Sequence, residues 1–327
     1  MHPRTTSPLV WALAGLAAGS TACRDSSGPG AVSPGHPAGT SVISVPLSRM
    51  PLGAAISPTG LAYVTRFDTD SLGRIDLGTA AVAGSVVVGS DPEDILFDAA
   101  GAKAYVTNFG SRSLGVIDPV GQRQSATFPL PAHPFRALLA PGGARIFVTM
   151  DNGTVGIVNA TTGALNMTQP TGSFPNGLAV TSSGTRLYVG DAADGTVTEI
   201  NTNGYGIART LVVGGTTGPV QDLVVAPDDR SLYVANEAGW VAVVDLSTWS
   251  RTDSIPMPGA YGMALTPDGT QLWVTQPSLG TTTVLDCVTH QVVGTAHTFG
   301  LPRRIAFTRD GSTALIANEA GYAQIIR

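Results

Sequence analysis

The sequence predicts an all-β fold: a seven-bladed β-propeller whose N-terminal strand closes the last blade. Three observations predict it. The pattern Tyr-Val-Thr-Asn recurs seven times at near-even spacing. Each copy sits in the same series of short apolar segments separated by Gly, Pro and Asp turns. The last repeat is one strand short, and a spare strand precedes the first.

The copies read Ala62-Tyr63-Val64-Thr65, Ala104-Tyr105-Val106-Thr107-Asn108, Ile146-Phe147-Val148-Thr149, Leu187-Tyr188-Val189-Gly190, Leu232-Tyr233-Val234-Ala235-Asn236, Leu272-Trp273-Val274-Thr275 and Ala314-Leu315-Ile316-Ala317-Asn318. The steps between successive aromatic positions are 42, 42, 41, 45, 40 and 42 residues, ending on Leu315. A fixed period of this size built from short strands marks a propeller, one copy per blade.

The second repeat shows how a blade is written. Pro92–Phe97 predicts the inner strand, Ala99-Ala100-Gly101 a turn and Lys103–Asn108 the second strand. Ser113–Asp118 predicts the third strand and Ser125–Leu130 the outer one. The first turn recurs as Pro58-Thr59-Gly60, Pro141-Gly142-Gly143, Ser182-Ser183-Gly184, Pro227-Asp228-Asp229, Pro267-Asp268-Gly269 and Arg309-Asp310-Gly311. Gly in last place supplies the positive φ that such hairpins need, and Asp is a usual substitute.

The aromatic of the second strand fills the widening gap between blades, since both faces of a blade pack on neighbours. The series Asp76, Asp118, Asn159, Asn201, Asp245 and Asp286 ends the third strands, where such side chains bond backbone N–H groups just ahead. These carboxylates read as turn-makers rather than as calcium ligands or catalytic acids. At the ends, residues 41–47 form an outer strand without a blade, and residues 322–327 a third strand without an outer one. Pairing them completes the seventh blade and removes an exposed edge.

Residues 41–327 therefore form one domain, and charge and composition agree. Charged residues are 13% and hydrophobic ones 43%, with 40 Gly and 23 Pro, a mixture suited to short strands and tight turns. A net charge of −5 and a single lysine, Lys103, argue against a nucleic-acid partner, which needs a clustered basic surface.

Residues 1–22 read as an export signal of lipoprotein type. Arg4 supplies the charge, residues 9–18 the apolar core, and Ser20-Thr21-Ala22-Cys23 the end. The apolar run is about half of the ~20 residues that span a bilayer. Small residues before Cys23 resemble a bacterial lipoprotein cleavage site, with Ser20 where leucine is usual, and imply lipidation of Cys23. An ordinary secretory cleavage at the same bond is the alternative. Residues 23–40 then make the lipidated cysteine and a disordered tether rich in Gly, Ser and Pro. Arg24 stands where many lipoproteins carry the aspartate of inner-membrane retention, so outer-membrane placement is expected. With Cys23 capped, Cys287 has no disulfide partner and no metal-binding cysteine set exists.

The repeats resemble the YVTN family of seven-bladed β-propellers over residues 41–327. The strongest copies are Tyr105-Val106-Thr107-Asn108 with Val116-Ile117-Asp118, and Tyr233-Val234-Ala235-Asn236 with Val243-Val244-Asp245. The resemblance implies kinship with surface-layer, periplasmic and quinoprotein-like propellers. It implies no catalytic residue, because the motif encodes blade packing.

A site is expected where the loops leading into the inner strands ring the central channel. Aligning the blades there gives Gly53, Asp94, Arg136, Gly177, Asp222, Gly262 and Arg304, preceded by Leu52, Glu93, Phe135, Asn176, Gln221, Tyr261 and Arg303. Glycine suits a crowded axis, so the charged replacements stand out. Arg136, Arg303 and Arg304 offer bidentate donors to a carboxylate or phosphate, and Phe135 and Tyr261 offer stacking surfaces. Glu93, Asp94, Asn176, Gln221 and Asp222 complete the candidate ligand-binding set. The alternative reading pairs Asp94 with Arg136 on the adjacent blade and leaves a solvated rim.

Enzyme signatures are otherwise missing. His133, His290 and His297 have no metal spacing, and there is no haem-attachment motif, Gly-x-Ser-x-Gly elbow or phosphate loop. The expected function is a non-catalytic, lipid-anchored monomer of the bacterial cell envelope. It would bind a protein, a polysaccharide or a small anionic ligand, with no cofactor and no metal. A lactonase-like hydrolase or lyase using the acids of the mouth is one alternative, and a cofactor-binding redox propeller another.

Overall fold

The computed structural model describes residues 41–48, 50–213 and 218–327. The export signal, Cys23 and the tether lie outside the described residues. Seven four-stranded antiparallel sheets make the seven blades of a β-propeller. The inner strands are Ala54–Ile56, Pro92–Phe97, Pro134–Leu139, Pro175–Val180, Val220–Val225, Met263–Leu265 and Pro302–Phe307, which begin blades 1 to 7. Blades 1 to 6 run inside to outside in chain order. In blade 7 the strand Val42–Pro46 takes the outer place, pairing antiparallel with Tyr322–Ile326 from Val42↔Ile326 to Pro46↔Tyr322. The predicted closure is the observed one.

Blade 2 follows its prediction, except that its second strand begins one residue late, at Ala104, and its outer strand runs Arg123–Pro129, beginning two residues and ending one residue early. A bulge causes the shift: pairing passes from Val116↔Ala126 to Ile117↔Gln124, and the skipped Ser125 bonds the Val116 carbonyl through Oγ at 3.1 Å. The turn-making role of the third-strand acids also holds. Asp76, Asn159, Asp245 and Asp286 each accept two backbone N–H bonds on Oδ1, at 2.7–3.0 Å. For Asp245, the Ser247 hydroxyl and the Thr248 and Ser247 amides hold the carboxyl down at about 2.

The core lies between blades, with Tyr63, Phe147, Tyr188 and Trp273 fully buried. The tyrosines do more than fill space. Tyr63 Oη donates to Pro119 O, Tyr105 Oη to Ala160 O and Tyr233 Oη to Cys287 O, each at 3.2 Å. Every acceptor directly follows the turn-making acid or amide of the next blade. In blades 3, 4 and 7 an arginine takes the carbonyl instead. Arg145 beside Phe147 donates to Thr202 O at 3.2 Å, and Arg327 near Leu315 to Leu77 O. In blade 4 Arg209 donates to Leu246 O at 2.8 Å, and Tyr188 Oη is buried with no hydrogen-bond partner among the described residues.

Candidate binding face at the channel mouth

The inner strands are irregular where the candidate residues sit. Pairing with the second strand slips between Pro92 and Asp94, Pro134 and Ala137, Pro175 and Gly177, Val220 and Asp222, and Pro302 and Ile305. Glu93, Phe135, Arg136, Asn176, Gln221, Arg303 and Arg304 therefore all lie in bulges, which turn side chains out of the alternating pattern. Tyr261 sits just ahead of its shorter strand, Met263–Leu265.

The threonine of the repeat motif holds these bulges. Thr107 Oγ1 accepts the Asp94 N–H at 2.9 Å and donates to Phe135 O of the next blade at 2.9 Å. Thr65 joins Gly53 N to Glu93 O in the same way, and Thr275 joins Gly262 N to Arg303 O. Thr149 takes the Arg136 N–H at 3.0 Å. Gly190, Ala235 and Ala317 replace it in the remaining blades. The ring glycines are required by the same closeness: a Cβ on Gly262 would meet Arg303 O at 2.1 Å, and one on Gly53 would meet Glu93 O at 2.7 Å.

The four charged ring residues close on one another. Arg136 lies between Asp94 (Nε–Oδ2 3.5 Å) and Asp222 (Nη2–Oδ1 3.5 Å), and Arg304 reaches Asp222 (Nη1–Oδ2 2.7 Å). The Asp222 side chain is 1% exposed and that of Arg304 10%. The two aspartates also stitch blades, Asp94 Oδ2 accepting the Ala137 N–H at 3.2 Å and Asp222 Oδ2 the Met263 N–H at 2.9 Å. Asp94 and Arg136 pair as the alternative reading expects, and the network extends further, across the axis to blades 5 and 7.

Around this floor runs a polar rim. Asn176 Nδ2 donates to Gln221 Oε1 at 2.8 Å, and Gln221 Nε2 to Glu237 Oε2 at 2.7 Å. Arg303 Nε donates to Glu319 Oε2 at 2.6 Å, and its guanidinium lies 4.3 Å from the Tyr261 ring centre, with that of Arg304 at 5.3 Å. Tyr261 thus stacks on the protein's own arginines. Glu93 is different. Among the described residues no side chain or amide bonds its half-buried carboxyl, and desolvation against the partly opposing pull of Arg304 and Arg303 pushes it up to about 7.

Phe135 belongs to an aromatic cluster across blades 2 to 4. Its ring centre is 5.4 Å from that of Phe109 and 4.6 Å from that of Phe174, and Phe109 stacks on His133 at 4.6 Å. His133 Nε2 accepts from Arg112 Nε at 3.2 Å, so its proton sits on Nδ1 and bonds Phe109 O at 2.7 Å. All four rings remain partly exposed.

The structure thus brings all ten candidates to one mouth, and adds Phe109, Phe174, Glu237 and Glu319, which sequence reasoning missed. Three of these directly follow a motif asparagine: Asn108-Phe109, Asn236-Glu237 and Asn318-Glu319. That position was the available signal.

No protein-family model matches the chain, and no curated protein matches it in sequence. Among solved structures it is similar to hydrazine synthase of Kuenenia stuttgartiensis, with a TM-score of 0.78 over 86% of this chain and 96% of that one. Identity is 18%, so the likeness is one of fold alone.

Proposed function

We propose that this chain is a YVTN-type propeller lipoprotein of the bacterial cell envelope, a non-catalytic binding module whose partner docks on the channel-mouth face. One observation carries the reading: Asp94, Arg136, Asp222 and Arg304 are spent on each other. Buried ion pairs of this kind are costly to break, so they make a rigid floor rather than free donors for an anion. What the floor leaves available is the Glu93 carboxyl and the rings of Phe109, Phe135 and Phe174. That combination favours a protein or polymer offering a cationic group beside apolar surface over a small anion. The export signal and Cys23 supply the envelope and membrane part of the proposal.

The test is titration of the purified protein with a lysine- and tryptophan-containing peptide and with an anionic polysaccharide. The peptide is expected to bind, and Glu93→Gln and Phe135→Ala each to weaken it about tenfold or more, as central contacts do. Equal affinity in both variants, or preference for the anionic polymer, overturns the docking face. Metabolic labelling with a fatty-acid probe, lost in Cys23→Ala, tests the anchor separately.

A second reading has one observation in its favour. A carboxyl held near 7 beside two arginines is poised for general acid–base work, as a hydrolase or lyase would use it. Turnover of a lactone or ester that disappears in Glu93→Gln would install that reading in place of binding.

A further inference from the structure

Blades 1 and 2 enclose a second feature, out on their outer strands. A shallow groove of about 370 Å³ runs between Val87 and Val88 on one side and Ser113, Gln124 and Thr127 on the other. Its volume falls in the ~300–1,000 Å³ of ordinary ligand sites. No charged residue lines it.

Strand pairing shows how the floor is made, because paired residues project to one face. Asn108, Ser113 and Pro129 form one cross-strand row, and Val106, Gly115 and Thr127 the next. Gly115 leaves a gap in this face that the Gln124 amide occupies; a Cβ there would come within 2.7 Å of Oε1. Gln124 Nε2 donates to Thr127 Oγ1 at 2.6 Å, while Oε1 is buried with no partner among the described residues. Asn108, wholly buried in the adjoining row, donates from Nδ2 to Ser113 Oγ at 3.3 Å, and its Oδ1 likewise has no partner among the described residues. In blades 5 and 7 the matching Asn236 and Asn318 spend Oδ1 on backbone N–H groups.

Among the described residues Gln124 Oε1, which belongs to the groove's lining, and Asn108 Oδ1, in the row behind it, thus lack donors. Val87, 77% exposed, and Val88 add an apolar wall beside them. A fitting ligand is uncharged, carries several O–H donors and presents C–H faces. We propose that this groove binds a neutral saccharide of one or two rings.

The experiment is a thermal-shift and calorimetric titration of the full chain with maltose, trehalose and N,N′-diacetylchitobiose, with glucuronate as the charged control. At least one neutral sugar is expected to raise the melting temperature by mass action, and glucuronate to have no effect. Gln124→Leu keeps the bulk and removes the amide; it is expected to weaken that sugar at least tenfold. Thr127→Val, which frees the Gln124 amide from its anchor, serves if the first variant does not fold. Overturning results are no response to any neutral sugar, unchanged affinity in the variants, or sugar-soaked crystals in which no sugar hydroxyl bonds the Gln124 amide. Glu93→Gln is expected to leave the sugar response intact, so this groove and the channel mouth fail independently.

Discussion

Arg304 Nη1 of blade 7 lies 2.7 Å from Asp222 Oδ2 of blade 5, spanning the blade between them, where the ring residue is Gly262. Asp222 also holds Arg136 and the Met263 amide, so three elements depend on one carboxylate. Removing it leaves Arg304 without its carboxylate and Arg136 with Asp94 alone. Asp222→Ala is expected to cost about 3–5 kcal/mol in urea unfolding, the penalty for orphaning buried charge. Replacing Asp222 and Arg304 together by Asn and Gln should recover much of that loss. A double variant as unstable as the single one would mean that the pair is not coupled.

The repeat threonines make a second prediction. Thr107→Val preserves shape and removes a hydroxyl that serves Asp94 N–H and Phe135 O. Loss of about 1–3 kcal/mol is expected, from leaving buried backbone groups unpaired. Thr107→Ser, which keeps the hydroxyl, should retain most of that stability. Chemical denaturation of the two variants decides.

The tyrosines separate packing from hydrogen bonding. Tyr233→Phe forfeits the bond to Cys287 O and should cost about 1 kcal/mol, whereas Tyr233→Ala should cost about 3–5 kcal/mol by opening a cavity. Tyr188→Phe is expected to be neutral or stabilising, because its hydroxyl is buried with no partner among the described residues while Arg209 holds the matching carbonyl. Melting temperatures that fall equally for both Phe variants would contradict this assignment.

These variants also show what was legible in the sequence. Blade number, strand order and closure could be read because each follows from local spacing and turn chemistry. The ring positions could be read because the blades share one register. The partners of Arg304 and Arg136 could not be read, because pairing across the axis depends on how far a bulge turns each side chain. Tyr188 illustrates the same limit: only the folded chain brings Arg209 to Leu246 O. Phe109 and Phe174 escaped notice because neither falls on an aligned ring position; they meet Phe135 because blades 2, 3 and 4 pack as neighbours.

Closure itself predicts a phenotype. Deleting residues 41–47 exposes the edge of Tyr322–Ile326, the strand that Val42–Pro46 covers. The shortened chain is expected to aggregate or to lose its single cooperative transition, read by size-exclusion chromatography and calorimetry. A soluble product melting like the parent would show that the seventh blade stands without its N-terminal strand.

Glu93 gives the pH prediction. Its carboxyl titrates near 7 in the folded protein, above the ordinary 4.5, with Arg304, Asp94, Arg303 and Glu319 as the charges acting on it. Between those two pH values the folded state binds more protons than the unfolded one, so this group lowers stability as pH rises from about 4.5 to 7. Glu93→Gln removes the effect. The variant should match the parent near pH 4 and exceed it at pH 8 by about 1–3 kcal/mol, allowing for partial solvent access. Docking of a cationic peptide should show the opposite trend, strengthening as pH rises through 7 and the carboxylate forms. If peptide affinity stays flat across that interval while the stability difference appears, Glu93 is a desolvated acid that the partner does not touch.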